Sequence, residues 1–300
     1  MYIAAVGYSQ DRQTAERNAF ANLSAFFGQS IQADQTIRDS YYEAARSGAM
    51  TVWLDNIEIE SVIRTSTFMD TLIGAEIREI WFDDKNKIYY AAAVMERQRT
   101  IRLYANMITA NLEMIKNLTA MNQNERNTFE GFSRYQFAGT TADINTAYAN
   151  LLNVLGAPVP DGVRNGGEYR MEALNIARAI PVSIIVTGDR EGRIAGAFSG
   201  ILTDYGFRTG VNNSRYLLRV NVRLSGLEYP ANPYQFVQME LNANLTDTYT
   251  SEILLPYNLE IREGHATTAL AENRVFLSAE QKIASEYKEA FTAFFSKMLP

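Results

Sequence analysis

The chain opens on Ala5-Val6-Gly7-Tyr8-Ser9 and passes at once into a run from Asp11 to Ile31. There Ala15, Ala19, Leu23, Phe26 and Phe27 recur at three- and four-residue spacing. That pattern predicts a short strand from Tyr2 to Val6, ended by Gly7, and then an amphipathic helix. Alanines on the apolar stripe let such a helix lie close to a sheet. Gln10, Asp11 and Glu16 set polar and acidic groups near its positive end. A strand that turns directly into a sheet-packing helix commits this part of the chain to mixed α and β structure.

Alternation takes over further on. Ile57, Ile59 and Ile63 predict a strand, and Ala75–Phe82 and Lys87–Val94 flank the turn-forming Asp83-Asp84-Lys85-Asn86, a hairpin. Helical spacing returns in Ile101, Ala105, Ile108, Leu112 and Ile115, and again in Ile144, Tyr148, Leu151, Leu152 and Leu155, which predicts an antiparallel helical pair. Gly156, Pro158, Pro160, Asp161, Gly162, Gly166 and Gly167 then read as a polar loop. Beyond it come a strand over Pro181–Val186, a helix over Gly192–Tyr205, strands over Arg215–Leu224, Phe236–Leu245 and Leu259–Glu263, and a closing helix. That helix is expected to bury Ala279, Ile283, Tyr287, Phe291, Phe294 and Met298. The fold class read from this order is α+β: two α/β units with mainly antiparallel sheets, joined by a helical hairpin. The domains expected are 1–98, a helical connector 99–167, and 168–300.

Composition excludes several functions. A net charge of −6 argues against nucleic acid, whose phosphates require a basic face. The absence of cysteine removes disulfides, thiolate nucleophiles and zinc-thiolate sites. It suits a cytosolic protein, and equally a mature envelope protein whose only cysteine carried a lipid. The single histidine, His265, stands beside Gly264 at a helix start and reads as a cap or surface group rather than a metal ligand. Thr187-Gly188-Asp189-Arg190-Glu191-Gly192 lies where phosphate loops occur, but it lacks their glycine spacing and carries two acids, so it reads as a capped turn. Asp83/Asp84 sit in a turn and Glu58/Glu60 point to solvent, settings that do not tune a carboxylate for acid–base work. No catalytic, cofactor-binding or metal residue is therefore assigned. Aromatic residues stand apart: the stretch holding Phe129, Phe132, Tyr135 and Phe137 keeps no clean helical face, which makes these four the candidate partner surface, the alternative being an aromatic plug packed between the helical pair and one of the domains.

Val6-Gly7-Tyr8-Ser9 with its helix, then Gly74–Trp81 and Ile88–Val94, resembles the LPP-type lipoprotein domain of bacterial envelopes, a domain also found at the amino terminus of the flagellar T-ring protein. The resemblance covers about residues 2–98 and implies a strand–helix–strands domain facing the periplasm or cell surface. Residues Pro181–Pro300 resemble the amino-terminal α/β domain of TolB-like and curli-secretion-type envelope proteins, in element order and in Gly206-Phe207 at a strand entry. These resemblances imply a non-enzymatic envelope lipoprotein acting as scaffold or adaptor, with other envelope proteins or an envelope polymer as partner and no cofactor. They also imply outer-membrane anchoring by an amino-terminal lipid on a segment outside this sequence. The alternative expectation is a periplasmic binder of a small ligand or glycan, using the cleft between the two α/β units.

Overall fold

The computed structural model describes residues 1–26, 74–229 and 233–298. The strand expected at Ile57–Ile63, the Glu58/Glu60 pair, Tyr41-Tyr42 and the end of the first helix from Phe27 lie outside them. The fold is α+β, with two sheets and two compact units. One unit holds residues 1–120 and 134–170, the other 121–133 and 171–299, so the segment expected as a connector is divided between them.

In the first unit, β1 (Tyr2–Ser9) leads through Asp11 into α1 (Arg12–Phe26). The Asp11 carboxylate accepts from the Thr14 N–H at 2.8 Å, which starts the helix. Strands β2 (Ala75–Asp83) and β3 (Ile88–Glu96) complete an antiparallel sheet in the order β1-β3-β2. Gly7 does not end β1. The strand runs on to Ser9, and Gly7 lies beneath α1, where an added Cβ would stand 2.1 Å from the Ala19 nitrogen and 2.4 Å from the Ala15 oxygen. A glycine in a strand here marks close backbone approach rather than a break. Ala15, Ala19, Ala91 and Ala93 are buried in the same contact. Along the edge of β1, the Asn18 and Asn22 amides donate to the Tyr8 and Val6 carbonyls, covering acceptors a sheet edge leaves open.

Helix α2 (Arg97–Thr119) follows β3, then the single turn α3 (Gln123–Arg126) and α4 (Phe129–Val154). Arg97 donates to the Leu155 carbonyl, Tyr104 meets Tyr148 and Asn111 donates to Asn145, a descending series that makes α2 and α4 antiparallel. The Phe/Tyr-rich stretch is helical and belongs to α4. The expected polar loop ends at Asn165, whose side chain accepts from Gly167 N–H as α5 (Gly166–Ala179) begins. This helix is absent from the sequence reading because two glycines open it. Gly166 is needed there, since a Cβ would stand 2.2 Å from the Gly139 oxygen of α4.

The second unit carries β4 (Val182–Thr187), α6 (Arg193–Asp204), β5 (Tyr216–Leu227), β6 (Gln235–Asp247) and β7 (Glu252–His265). Strands β4 and β5 are parallel around α6, and β5, β6 and β7 form an antiparallel meander, in the order β4-β5-β6-β7. Strand β7 is far longer than the expected Leu259–Glu263. Pro256 obscured it, a residue tolerated because β7 is an edge strand. The closing helix is α7 (Thr268–Lys282), a π-turn over Ile283–Tyr287 and α8 (Lys288–Ser296). Ala279, Ile283, Tyr287, Phe291 and Phe295 are buried, four residues apart throughout, with Phe295 in the place expected for Phe294. Each step of four overshoots an α-helical turn by about 40°, and the wider π-turn takes up part of that drift.

Candidate functional site

Phe129 and Phe132, expected on a partner surface, are core residues. Phe129 is fully buried, stacked at 3.8 Å on Tyr216, and its N–H donates to the Tyr216 hydroxyl. Phe132 packs on Phe207 and Phe295 at 5.0 Å. Burial among these rings pushes the Tyr216 hydroxyl above its ordinary pKa. The apolar face missing from the sequence pattern exists, turned into an aromatic core contributed by α4, α8 and the Gly206-Phe207 entry. Two of the four residues therefore offer no ring to a partner. Tyr135 and Phe137, on the next turns of α4, are half-buried.

The exposed aromatic surface lies on the first sheet, on the face opposite α1. Directly opposed residues of neighbouring strands share a face. Tyr8 pairs with Tyr90 and Tyr90 with Trp81, so three rings form one row across three strands. Ring centres are 6.1 Å apart between Tyr8 and Tyr90 and 5.0 Å between Trp81 and Tyr90. Tyr8 is 64% and Trp81 62% exposed. The next row is Val6, Ala92 and Glu79, with the small Ala92 beside the central Tyr90. At the far end Tyr2 is half exposed, with the Arg78 guanidinium 4.6 Å above its ring.

A β-bulge between Ile77 and Glu79 builds this face. Ile77 pairs with Ala93 on the α1 side, whereas Trp81 pairs with Tyr90 on the open side, although both numbers are odd. The extra residue reverses the alternation and swings Arg78 and Trp81 outward. The hairpin turn beside the row is fixed by Asp83, whose carboxylate accepts from Asn86 Nδ2 at 2.7 Å, Lys85 N at 2.9 Å and Asn86 N at 3.1 Å. Those hydrogen bonds, the Asn86 side chain first, hold Asp83 below the usual carboxylate pKa. Lys87, left-handed at φ 56°, reaches over the Phe82 ring. The signal in the sequence was Tyr8 and Tyr90, each one residue out of step with its buried neighbours Gly7 and Ala91.

Other polar side chains have structural work. Asp189 accepts from Ile194 N and Ala195 N at 3.1 and 2.9 Å, placing a carboxylate where a phosphate loop would hold its anion. His265 Nδ1 accepts from Ala266 N–H at 2.8 Å. Asp247, buried at the end of β6, accepts from Arg215 Nε at 2.8 Å. Its burial opposes ionisation, but the Arg215 hydrogen bond and charge and the Tyr249 N–H together lower its pKa. Among the described residues no three His, Asp or Glu side chains converge as metal ligands, and no helix is long and apolar enough to cross a membrane.

No family model and no curated protein matches the chain. Among solved structures, a secreted protein of Helicobacter pylori is similar at 12% identity and a TM-score of 0.46, the match covering 95% of this chain and 98% of that one. A minor lipoprotein of Acinetobacter baumannii is similar at 16% identity and a TM-score of 0.27, over 39% of this chain and 92% of its own. A lipoprotein of Neisseria meningitidis is similar at 12% identity and a TM-score of 0.23, over 35% of this chain and 99% of its own. All three neighbours are bacterial proteins described as secreted or as lipoproteins.

Proposed function

We propose that this chain is a non-catalytic component of a bacterial cell envelope, an adaptor that holds a partner protein on the open aromatic face of its first sheet. The observation that carries the reading is the row Tyr8–Tyr90–Trp81, set across the three strands of the first sheet with Tyr8 and Trp81 exposed at its two ends. Tyrosine, tryptophan and arginine are the residues that dominate the binding energy of protein interfaces, and the open face carries all three, with Arg78 over Tyr2 at its far end. The rings are positioned by strand register, so little ordering cost remains to be met on binding. The non-catalytic part of the proposal is supported by the engagement of Asp83, Asp189, Asp247 and His265 in turns, caps and an ion pair. The envelope location and an amino-terminal lipid are supported by the LPP-type resemblance of residues 2–98.

The test uses the native protein in its source cells. Fractionation with protease accessibility places it, and native electrophoresis of detergent extracts sizes its complexes, for wild type and for a Tyr8→Ser, Trp81→Ser, Tyr90→Ser variant. An envelope-located protein whose larger complex disappears in the folded variant supports the proposal. A cytosolic protein, or a complex of unchanged size, overturns it.

A further inference from the structure

The second unit has a separate feature, independent of the aromatic row. A cleft of about 360 Å³ opens at the end of the sheet where β4 and β5 begin, within the roughly 300–1,000 Å³ typical of small-ligand sites. Its floor is stitched by hydrogen bonds. The buried Ser183 and Ser214 hydroxyls lie 2.6 Å apart, Ser183 Oγ donates to the Val211 carbonyl, and Ser214 Oγ donates to the Tyr216 carbonyl. Thr248 Oγ1 donates to the Arg215 carbonyl at 2.9 Å, tying the β6–β7 turn to the same floor. The mouth is different. The amides of Asn212 and Asn213 make no side-chain hydrogen bond to the described residues, the Tyr249 ring is 79% exposed, and Ile185 and Leu217 supply an apolar wall. No ionisable carboxylate or amine lines the cleft, and the nearby Arg215–Asp247 pair neutralises itself.

The cleft continues onto the exposed face of the sheet. Ser183 and Leu217 begin that face, followed by Ile185, Arg219, Asn244 and Pro256 in the next row. Beyond them Thr187, Asn221, Asn242 and Asn258 stand directly opposite one another across all four strands. Asparagine is a poor strand former, and four on one solvent face oppose the local fold. Their amides make no hydrogen bond to the described residues, so strand stability does not account for them.

We propose that the cleft and this amide row bind a neutral saccharide chain. A sugar ring has an apolar face, which suits Tyr249, Ile185 and Leu217, and a rim of hydroxyls that both donate and accept, as asparagine amides do. One end unit occupies the cleft and the following units lie along Asn244, Asn242 and Asn221.

Saturation-transfer NMR and calorimetry with neutral oligosaccharides of two and four units (chitin, maltose and cellulose series) test this, with an oligogalacturonate as charged control. The variants are Asn213→Gly, which keeps the left-handed backbone at φ 58° and removes the amide, Tyr249→Ala at an exposed site, and Asn221→Thr with Asn242→Thr, which improves strand propensity. The proposal expects saturable binding of one neutral series, weakened at least about fivefold by Asn213→Gly and by Tyr249→Ala. It expects the threonine pair to weaken the four-unit ligand and leave the two-unit ligand unchanged. Absence of saturable binding by every series, binding indifferent to the variants, or tighter binding of the charged control overturns it.

Discussion

Helix α1 meets its sheet through Gly7, Ala15 and Ala19, whereas the second half of the closing helix sets its rings, Tyr287, Phe291 and Phe295, against other rings. Tyr257 of β7 packs on Tyr287 at 5.4 Å, and Phe198 packs on Tyr287 at 4.8 Å. The first contact brings backbone against backbone and has no room to give. The second fills space with side chains that can shift and repack. The same difference decides what is left for binding. With alanines serving the middle of the covered face of the first sheet, Tyr8, Tyr90 and Trp81 stand on the open one, and Phe82 and Tyr89 pair at the end of the covered face. In the second unit the phenylalanine rings around Phe129 and Phe291 are spent on the core, and beyond the cleft the open face of the sheet is polar.

The sharpest way to break this comparison is to add one methyl group at Gly7. Gly7→Ala drives a Cβ into the backbone of Ala15 and Ala19, and the expected loss is at least about 3 kcal/mol. Denaturant unfolding that shows less than half of this would mean α1 can lift off its sheet. Phe291→Leu, a larger change in atoms, is expected to cost only about 1–2 kcal/mol, because neighbouring rings relax into the space. A loss equal to that of Gly7→Ala would show the aromatic core to be just as rigid. Tyr287→Phe reverses the sign. Its hydroxyl is buried without a partner among the described residues, so removing it is expected to stabilise by about 1 kcal/mol, read as a raised thermal midpoint. A fall in the midpoint would reveal a hydrogen bond.

Acid reports on the Arg215–Asp247 pair. Asp247 has a lowered pKa in the folded chain, so its contribution is complete above about pH 5. It is lost as the pH drops through the ordinary carboxylate range and on to the lower folded value. Asp247→Asn is expected to flatten that part of the stability–pH curve, and an unchanged slope would assign it to other carboxylates. The smallest effect belongs to the open face. Trp81→Ser is expected to cost less than about 1 kcal/mol, the scale of a cross-strand pair.

Much of this architecture was legible in the chain. The hairpin showed in Asp83–Asn86, and the β5–β6 pairing showed in clean alternation. Three features were hidden, each for a physical reason. Gly7 carries the same letter whether it breaks a strand or admits a helix, and only the packing of Ala19 against it decides. Pro256 marks a strand end unless the strand is an edge. The bulge at Arg78 shifts Trp81 to the opposite face from the one strict alternation gives, which concealed the aromatic row. Phe129 and Phe132 misled in the opposite direction. Their partners, Phe207, Tyr216 and Phe295, lie more than seventy residues away in the chain, beyond any local pattern.

The central claim is that the first sheet's aromatic row is a binding face. The most direct measurement is photocrosslinking in the source cells with benzoylphenylalanine at position 81, compared with position 223 on the exposed face of the second sheet. A discrete protein adduct at 81 that is absent at 223 is the expected result. No adduct at 81, or the same adducts at both positions, would contradict it.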